Sequence, residues 1–511
     1  MKISSLSDLE ILESQIEKKL SKYKLGDVFH SLYSLKEDNT IQPFMIAGLS
    51  LLAARFCLPS KSSQLIRRFD IRPLVDLSNN YYLSDPTIFD KDLHDESIDS
   101  NPIFMMLRIV SNQFPFKPGL FSQFSRPVLL FHEIPNQLRS SSGIPQFNFE
   151  DKFYSLTGVS VIDFVTTGFV LSAFARNNFT FSQSYLTKSR QQGINIPDKF
   201  DIKKILNHLV ADKSKLVDLY ERQKNIENKD NRFRMYDFNP LLSYPLIKPC
   251  DDKGFARTNK DFMHAPVPEL IGSRISTGIF YQMYNEWKTE FSGYFGHVFE
   301  RYVGLVLNNC TTSETLISDA DIREFYPEKK GKAPDWILID GKSLVLFECK
   351  ATRFSRAAQA IASEKDINSS LLQVKKGLIQ LHSFITACRN NIPELQRFYD
   401  CTTFKPIFVS LEPLYLINSF FFRDHINTLL ADEGITGFDW QILSIDDLER
   451  LQPHLKSGFR FSQVLDDLKQ KTFNSVLQDL SSQTNQTFAD SFLYQKQHEL
   501  YQRLGVSDRI S

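Results

Sequence analysis

Two carboxylates and one ammonium group lie where two apolar runs of the sequence meet. Asp335 stands immediately before the first run, and Glu348 and Lys350 stand at the end of the second. Charged groups beside apolar segments are costly to desolvate unless they pair with one another or with a cation. An oxygen-rich, partly hydrated corner of this kind suits a hard divalent ion such as Mg²⁺. The residue types and their spacing therefore predict a Mg²⁺ site.

The elements that must position these groups are two strands joined by a tight turn. Trp336–Ile339 and Leu344–Phe347 have the length and composition of strands, and the Asp340-Gly341 dipeptide between them is typical of a short hairpin turn. Side chains alternate along a strand, so the two charged groups of the second strand share one face. Antiparallel pairing about the turn then brings Asp335 beside them.

The segment resembles the motif of the PD-(D/E)XK nuclease superfamily. Pro334-Asp335 is followed by a spacer of twelve residues and then by Glu348-Cys349-Lys350. The core of that superfamily runs helix, three strands, helix, strand. The neighbouring sequence is similar in order, with a first helix at 291–307, a first strand at 322–326, a second helix at 371–388 and a last strand at 406–416. The resemblance covers about 290 to 417, roughly a quarter of the chain.

The resemblance implies a metal-dependent phosphodiester hydrolase that uses Mg²⁺, for which Mn²⁺ can substitute. It implies that Asp335 and Glu348 bind the metal, with the backbone carbonyl of Cys349 beside them. Glu300, on the first helix, corresponds to the acid that completes the metal shell in many members, although its position is equally compatible with a solvated helix glutamate. Lys350 is expected to position and help deprotonate the attacking water and to offset negative charge on phosphorus.

The same resemblance suggests residues that bind the substrate. Gln373 resembles the glutamine that some members place near the site. Arg353, Arg356, Lys375 and Lys376 are candidates for holding the phosphate backbone. Each of these five side chains, taken alone, is also typical of a solvated surface.

The composition bounds the function further. Lys and Arg total 60 and Asp and Glu total 60 among 511 residues, so no net basic field attracts nucleic acid and any binding must use local patches. Six cysteines without a C-x-x-C or zinc spacing fit a reducing, cytoplasmic location. The most apolar runs, 44–58 and 159–175, are too short to span a bilayer, so we expect buried helices and no membrane association.

The predicted fold class is α/β, with a restriction-endonuclease-like core in which a mixed sheet is flanked by helices, and with a large, mostly α-helical N-terminal region. A chain of this length suits about two to four domains. We expect an α-helical region that senses a signal or binds a partner at 1–225, a strand-and-turn connector at 226–288, the nuclease core at 289–420, and an α/β extension with C-terminal helices at 421–511.

The predicted function is a Mg²⁺-dependent endodeoxyribonuclease, in an arrangement that resembles bacterial nucleases of antiviral defence. DNA is the expected partner, a partner protein or phage trigger is expected at the helical region, and the Gln-rich helices at 461–504 suit a homo-oligomer. A DNA repair or recombination nuclease, and a non-catalytic nucleic-acid-binding or assembly subunit, remain open as alternatives. Gly341-Lys342-Ser343 echoes a phosphate-binding loop, but Trp336 stands where that loop needs its first glycine.

Overall fold

A computed structural model describes residues 5–35, 38, 40–57, 68–88, 102–113, 124–139, 143–178, 180–227, 231–248, 262–310, 316–353, 364–414 and 417–506. The protein is mixed α/β. Two sheets, of four and five strands, lie among helices, and the larger sheet carries the predicted site.

Helices make up most of the described chain as far as residue 227, as predicted. They are α1 Leu6–Leu20, α2 Leu25–Tyr33, α3 Pro43–Phe56, α4 Arg68–Tyr82, α5 Pro102–Gln113, α6 Ser125–Val128, α7 Ile134–Leu138, α8 Phe149–Thr157, α9 Val161–Asn177, α10 Gln183–Gln191, α11 Lys199–Leu209 and α12 Lys213–Glu227. A π-helical segment, Leu129–Glu133, joins α6 to α7.

The two most apolar runs are buried helices, as predicted. Most side chains of α3 and α9 are buried, and the N-terminus of α9 is capped by Ser160, whose Oγ accepts the backbone N–H of Asp163 at 3.1 Å. Within the described residues no single helix is both long and apolar enough to cross a bilayer. The pair α8 and α9 meets the length and composition criteria only when taken together, and the two helices are bent by 58° relative to each other.

The smaller sheet joins the connector to the helical region. Its strands are β1 Thr180–Ser182, β2 Val210–Ala211, β3 Leu246–Ile247 and β4 Phe262–His264, in the order β1-β4-β3-β2. Of the predicted strand-and-turn connector, 226–288, residues 228–230 and 249–261 lie outside the described residues, and the described part before residue 265 has two 3₁₀ helices, Asn231–Tyr236 and Pro240–Leu242, besides β3 and β4. The chain is helical again in α13 Glu269–Arg274 and in α14 Thr277–Asn308.

The larger sheet has five strands, in the order β5-β6-β7-β8-β9. They are β5 Leu316–Ser318, β6 Trp336–Asp340, β7 Ser343–Lys350, β8 Thr403–Ser410 and β9 Gln441–Ser444. The first three pair antiparallel and the last three pair parallel, so the sheet is mixed, as predicted. The remaining helices are α15 Asp319–Phe325, α16 Glu364–Arg389, α17 Phe420–Ala431, α18 Ile445–Lys456, α19 Phe461–Gln470, α20 Phe473–Thr484 and α21 Phe492–Arg503.

The predicted first strand at 322–326 is wrong. Residues 322–325 lie in α15 and Tyr326 follows it, whereas the first strand is the shorter β5. The backbone N–H of Ser318 donates to the Asp321 carboxylate at 3.0 Å, and the N–H of Asp321 donates to Ser318 Oγ at 3.3 Å. This reciprocal capping box starts a helix immediately after the strand. The predicted helices at 291–307 and 371–388 and the strand at 406–416 are confirmed, with shifted ends.

Helices cover both faces of the larger sheet. Side chains on one face of β6 and β7 pack with α14, α18 and α19, and those on the other face pack with α16 and α17. Leu344 and Leu346 of β7 point to the α16 side, whereas Val345 and Phe347 point to the α14 side. Continuing this alternation puts Glu348 and Lys350 on the α16 side of the sheet.

Candidate active site

The hairpin of β6 and β7 sets the geometry of the site. Trp336 pairs with Phe347 and Asp340 pairs with Ser343, so the loop is Gly341-Lys342, one residue later than the predicted turn. Gly341 has φ 65°, a value that favours glycine. The backbone pairing continues one residue past β6, because the N–H of Asp335 donates to the Phe347 carbonyl at 3.0 Å. Asp335 therefore lies beside the end of β7.

The three predicted central residues converge at the open end of this hairpin. Lys350 Nζ is 2.5 Å from Glu348 Oε1 and 3.8 Å from Asp335 Oδ2. The backbone N–H of Cys349 donates to Asp335 Oδ2 at 2.6 Å and holds that carboxylate in place. Glu348 is fully buried, whereas Asp335 and Lys350 are partly exposed. The ammonium thus contacts both acids and reaches solvent.

Glu300 reaches the site from α14. The Trp336 indole donates to the Glu300 carbonyl at 3.1 Å, and the Trp336 ring packs so closely on Gly304 that a Cβ there would lie 1.9 Å from it. The Glu300 carboxylate is 30% exposed and lies 3.9 Å from His297 Nδ1. Its charge also acts on Glu348, so the helix acid belongs to the same electrostatic cluster.

The acids of this cluster hold their protons more tightly than ordinary carboxyls. Burial, and then repulsion from Asp335, raises the pKa of Glu348 to about 8, although the Lys350 ammonium opposes the rise. Burial and the Asp335 charge likewise raise the pKa of Glu300 to about 8. Burial raises the pKa of Asp335, with Lys350 and the Cys349 N–H opposing the change. Without a further cation, the site thus favours protonated acids.

The pKa of Lys350 is raised as well, but for a lysine this rise favours the charged form. Burial by itself lowers the pKa of Lys350, but the charges of Asp335 and Glu348 overcome this effect and raise the pKa above its ordinary value. The side chain is therefore an ammonium at neutral pH. It places a positive charge next to Asp335 and Glu348.

The donor set suits a hard divalent ion. Within the described residues, no three His, Cys, Asp or Glu side chains stand close enough together to hold a metal ion as they are placed, and the Lys350 ammonium contacts both Glu348 and Asp335. Three carboxylates with raised pKa values nevertheless provide the oxygen ligands that Mg²⁺ prefers. The residues fit Mg²⁺ if Lys350 moves away from Glu348 and the acids lose their protons.

A glutamine that the sequence analysis did not single out contacts the site. Gln380 of α16 donates through Nε2 to Glu348 Oε2 and to the Ala333 carbonyl, both at 2.6 Å. The predicted Gln373 lies about two turns earlier on the same helix and is exposed. Gly377 allows the close approach of α16, since a Cβ there would lie 3.0 Å from Glu348 Cγ.

Asp319 is a second neighbour that the sequence analysis missed. Its backbone N–H donates to the Asp335 carbonyl at 2.8 Å, and its charge contributes to the raised pKa of Asp335, after burial. Asp319 is the first residue of α15, which the sequence analysis interpreted as a strand. A helix N-terminus therefore abuts the acid cluster where a β-strand was expected.

Arg353 is held within the protein. Its guanidinium carbon lies 4.5, 4.4 and 4.8 Å from the ring centres of Phe280, Tyr281 and Tyr284 of α14. The Tyr281 hydroxyl donates to Glu412 Oε1 at 3.1 Å, and the charge of Arg353 lowers the pKa of that carboxyl against a larger rise caused by burial. The guanidinium therefore packs against three aromatic rings, and the residue is half-buried.

The other predicted phosphate-binding residues are dispersed. Lys375 Nζ forms an ion pair with Glu433 Oε1 at 2.7 Å. Lys376 is exposed on α16. Arg356 lies outside the described residues. Of these three cations, the one with a described ion pair, Lys375, contacts Glu433 and not an acid of the site.

No family model, no curated protein and no solved structure matches the chain. Three acids, one ammonium and one amide at the end of a buried hairpin can bind a hard cation, orient a water molecule and stabilise negative charge on a bound ester.

Proposed function

We propose that this protein is a metal-dependent nuclease that hydrolyses phosphodiester bonds of DNA, and that its larger sheet with flanking helices is a restriction-endonuclease-like core of the PD-(D/E)XK type. The observation that carries the proposal is the convergence of Asp335, Glu348 and Lys350 from the two strands of one hairpin. Their pKa values are mutually perturbed, as is common where charged groups are arranged for chemistry.

The chain's own residues have distinct roles in this proposal. Asp335, Glu348 and Glu300 would hold Mg²⁺ or Mn²⁺, and a bound ion supplies Lewis-acid stabilisation of the phosphate and a more acidic water. Gln380 orients Glu348 by donating to the oxygen opposite the one that contacts Lys350. Lys350 keeps its proton in the metal-free site, so there it donates hydrogen bonds to water or to a phosphate oxygen.

The proposed setting is bacterial defence against phage or foreign DNA, with the helical region as a sensor or partner-binding part in the cytoplasm. This setting rests on the similarity of arrangement alone. A non-catalytic nucleic-acid-binding or assembly subunit is the second candidate. The observation that favours it is the contact of Lys350 Nζ with Glu348 Oε1 at 2.5 Å, which puts a cation of the chain itself beside an acid that would otherwise bind the metal.

Cleavage assays separate these candidates. Wild type, Lys350→Ala and Asp335→Asn are incubated with plasmid and linear DNA in Mg²⁺, in Mn²⁺ and in EDTA. Cleavage should need the metal and fall by about 100-fold or more in either variant, because each removes a group that stabilises charge in the transition state. Lys342→Ala, at the opposite end of the hairpin, should retain full activity.

Wild-type levels of cleavage in both site variants would refute the proposal. If wild type cleaves nothing, calorimetric titration with Mg²⁺ decides between a nuclease that awaits a trigger and a non-catalytic fold. The first binds Mg²⁺ and loses that binding in Asp335→Asn, whereas the second binds none.

A further inference from the structure

A short basic loop directly precedes the acid cluster. Residues 329–332 read Lys-Lys-Gly-Lys and lead through Ala333 and Pro334 to Asp335. All three lysines are exposed. Lys330 forms an ion pair with Glu394 at 2.9 Å, whereas Lys329 and Lys332 have no ion pair or side-chain hydrogen bond in the part of the chain that the structure describes. Two cations are thus presented to solvent beside the site.

The loop is held in a defined shape. Arg323 Nη1 donates to the Gly331 carbonyl at 3.0 Å, and the buried Tyr326 donates through Oη to the Lys330 carbonyl at 3.1 Å. Gly331 has φ 151°, and a Cβ there would lie 2.3 Å from Tyr326 Oη. The glycine therefore permits both the backbone conformation and the close contact.

The same contacts tie the loop to the acid cluster. Arg323 Nε lies 3.0 Å from Asp319 Oδ1, and the Asp319 N–H donates to the Asp335 carbonyl at 2.8 Å. Polar contacts therefore connect Gly331 to Asp335 through Arg323 and Asp319. Lys332 is three residues from Asp335, so their Cα atoms are at most about 11 Å apart. At about 3.4 Å of duplex axis per nucleotide of one strand, this distance spans about three base pairs.

We propose that Lys329 and Lys332 bind backbone phosphates of the nucleic-acid strand next to the scissile position, and that Arg323 is the positioning residue that holds the loop in register with Asp335. This inference rests on the proposed nuclease function. A chain with no net charge must bind phosphate through local patches. Among the described residues, this loop joins two unpaired lysines to the acids by a continuous set of contacts.

The test measures binding and leaves out catalysis. Fluorescence anisotropy of the full chain with duplex DNA in EDTA is recorded over a range of salt concentrations. Each phosphate contact contributes about 0.9 to the slope of log affinity against log salt on duplex DNA. The double variant Lys329→Ala, Lys332→Ala should therefore bind more weakly, with a slope lower by about 1.8. Arg323→Gln should lower the slope by less, because it loosens the loop but keeps both charges.

Lys342→Ala is the matched control. Lys342 is also exposed, but it lies in the turn at the other end of the hairpin, about 27 Å from Lys350 along β7. The slope of log affinity against log salt for Lys342→Ala should equal that of wild type. The rise in melting temperature caused by Mg²⁺ should be the same in the double variant as in wild type, which shows that the acids are intact.

Three outcomes are distinguishable. A lower slope in the double variant and a smaller decrease in Arg323→Gln, with the slope of Lys342→Ala unchanged, support the inference. A slope equal to that of wild type in the double variant overturns it and leaves the nuclease proposal standing. If wild type binds no DNA of any kind while Mg²⁺ still raises its melting temperature, both the inference and the proposed substrate fail.

Discussion

Replacement of Glu348 by glutamine should remove a pH dependence of stability that the metal-free protein has. Glu348 is fully buried, and burial followed by the Asp335 charge raises its pKa from 4.5 to about 8. The folded protein keeps this proton at neutral pH, whereas the unfolded chain releases it near pH 4.5. The proton stabilises the folded state fully below the unfolded pKa, and this contribution is lost as the pH rises through 8.

The size of the effect follows from the two pKa values. The whole titration is worth roughly 4 to 5 kcal/mol, of which about half falls between pH 6 and pH 8.5. Glu348→Gln has no such proton to lose, so over this interval its free energy of unfolding should rise by about 2 to 3 kcal/mol relative to that of wild type. Burial lowers the pKa values of His208 and His264 from 6.5 to about 4, so wild type and variant alike gain stability as the pH rises between these two values. The difference between the proteins cancels this term.

Calorimetric unfolding in EDTA measures this difference as a shift of a few degrees in midpoint. Millimolar Mg²⁺ should raise the unfolding midpoint of wild type and should not raise that of Glu348→Gln. The rise should be larger at high pH than at low pH, because the acids that bind the metal must lose their protons. Glu433→Gln is the control, since Glu433 is a half-exposed carboxylate paired with Lys375. A difference between wild type and Glu348→Gln that stays constant with pH would refute the raised pKa.

Two further predictions concern a close packing contact of α14 and a buried ion pair. Gly304→Ala should destabilise the protein by about 1 to 3 kcal/mol in urea unfolding, because its Cβ would lie 1.9 Å from the Trp336 ring. Gly293→Ala, on the same helix, should stabilise the protein by about 0.5 to 1 kcal/mol, because a Cβ there would meet nothing within 4 Å. Arg126→Met should cost about 3 to 5 kcal/mol in the same assay, because it removes the cation 2.7 Å from the buried Glu449 and leaves that carboxylate with the neutral Tyr302 hydroxyl. Adding Glu449→Met should recover part of that loss. Equal effects of the two alanine variants, or no recovery in the double variant, would contradict these packing arguments.

Short-range patterns explain which parts of the site the sequence predicted. The hairpin follows from two apolar runs and a glycine turn, and the side-chain alternation of β7 puts Glu348 and Lys350 on one face. The helix that carries Glu300 follows from its apolar stripe. All of these signals lie within a few residues of the group that they place.

The missed residues depend on longer-range packing or on an overlooked cap. Gln380 contacts Glu348 only because Gly377 lets α16 approach the sheet closely, so the sequence did not distinguish it from Gln373. Arg353 is surrounded by rings of α14, which lies about seventy residues earlier in the chain. The helix in place of the predicted first strand was readable, because Ser318 and Asp321 have the spacing of a capping box.

The predicted boundary at residue 289 remains a prediction, and the packing of α14 provides a test of it. Phe295 stacks on Phe131 at 5.7 Å, and Phe291 lies 5.8 Å from Phe147, so two fully buried side chains of the site helix depend on residues before 225. Exposing each would cost about 1.5 to 3 kcal/mol. We therefore expect a fragment of residues 289–420 to aggregate or to lack a cooperative unfolding transition, as measured by calorimetry. A soluble, cooperatively folding fragment that binds Mg²⁺ would show that the helical region only covers this part of the chain and does not help it to fold.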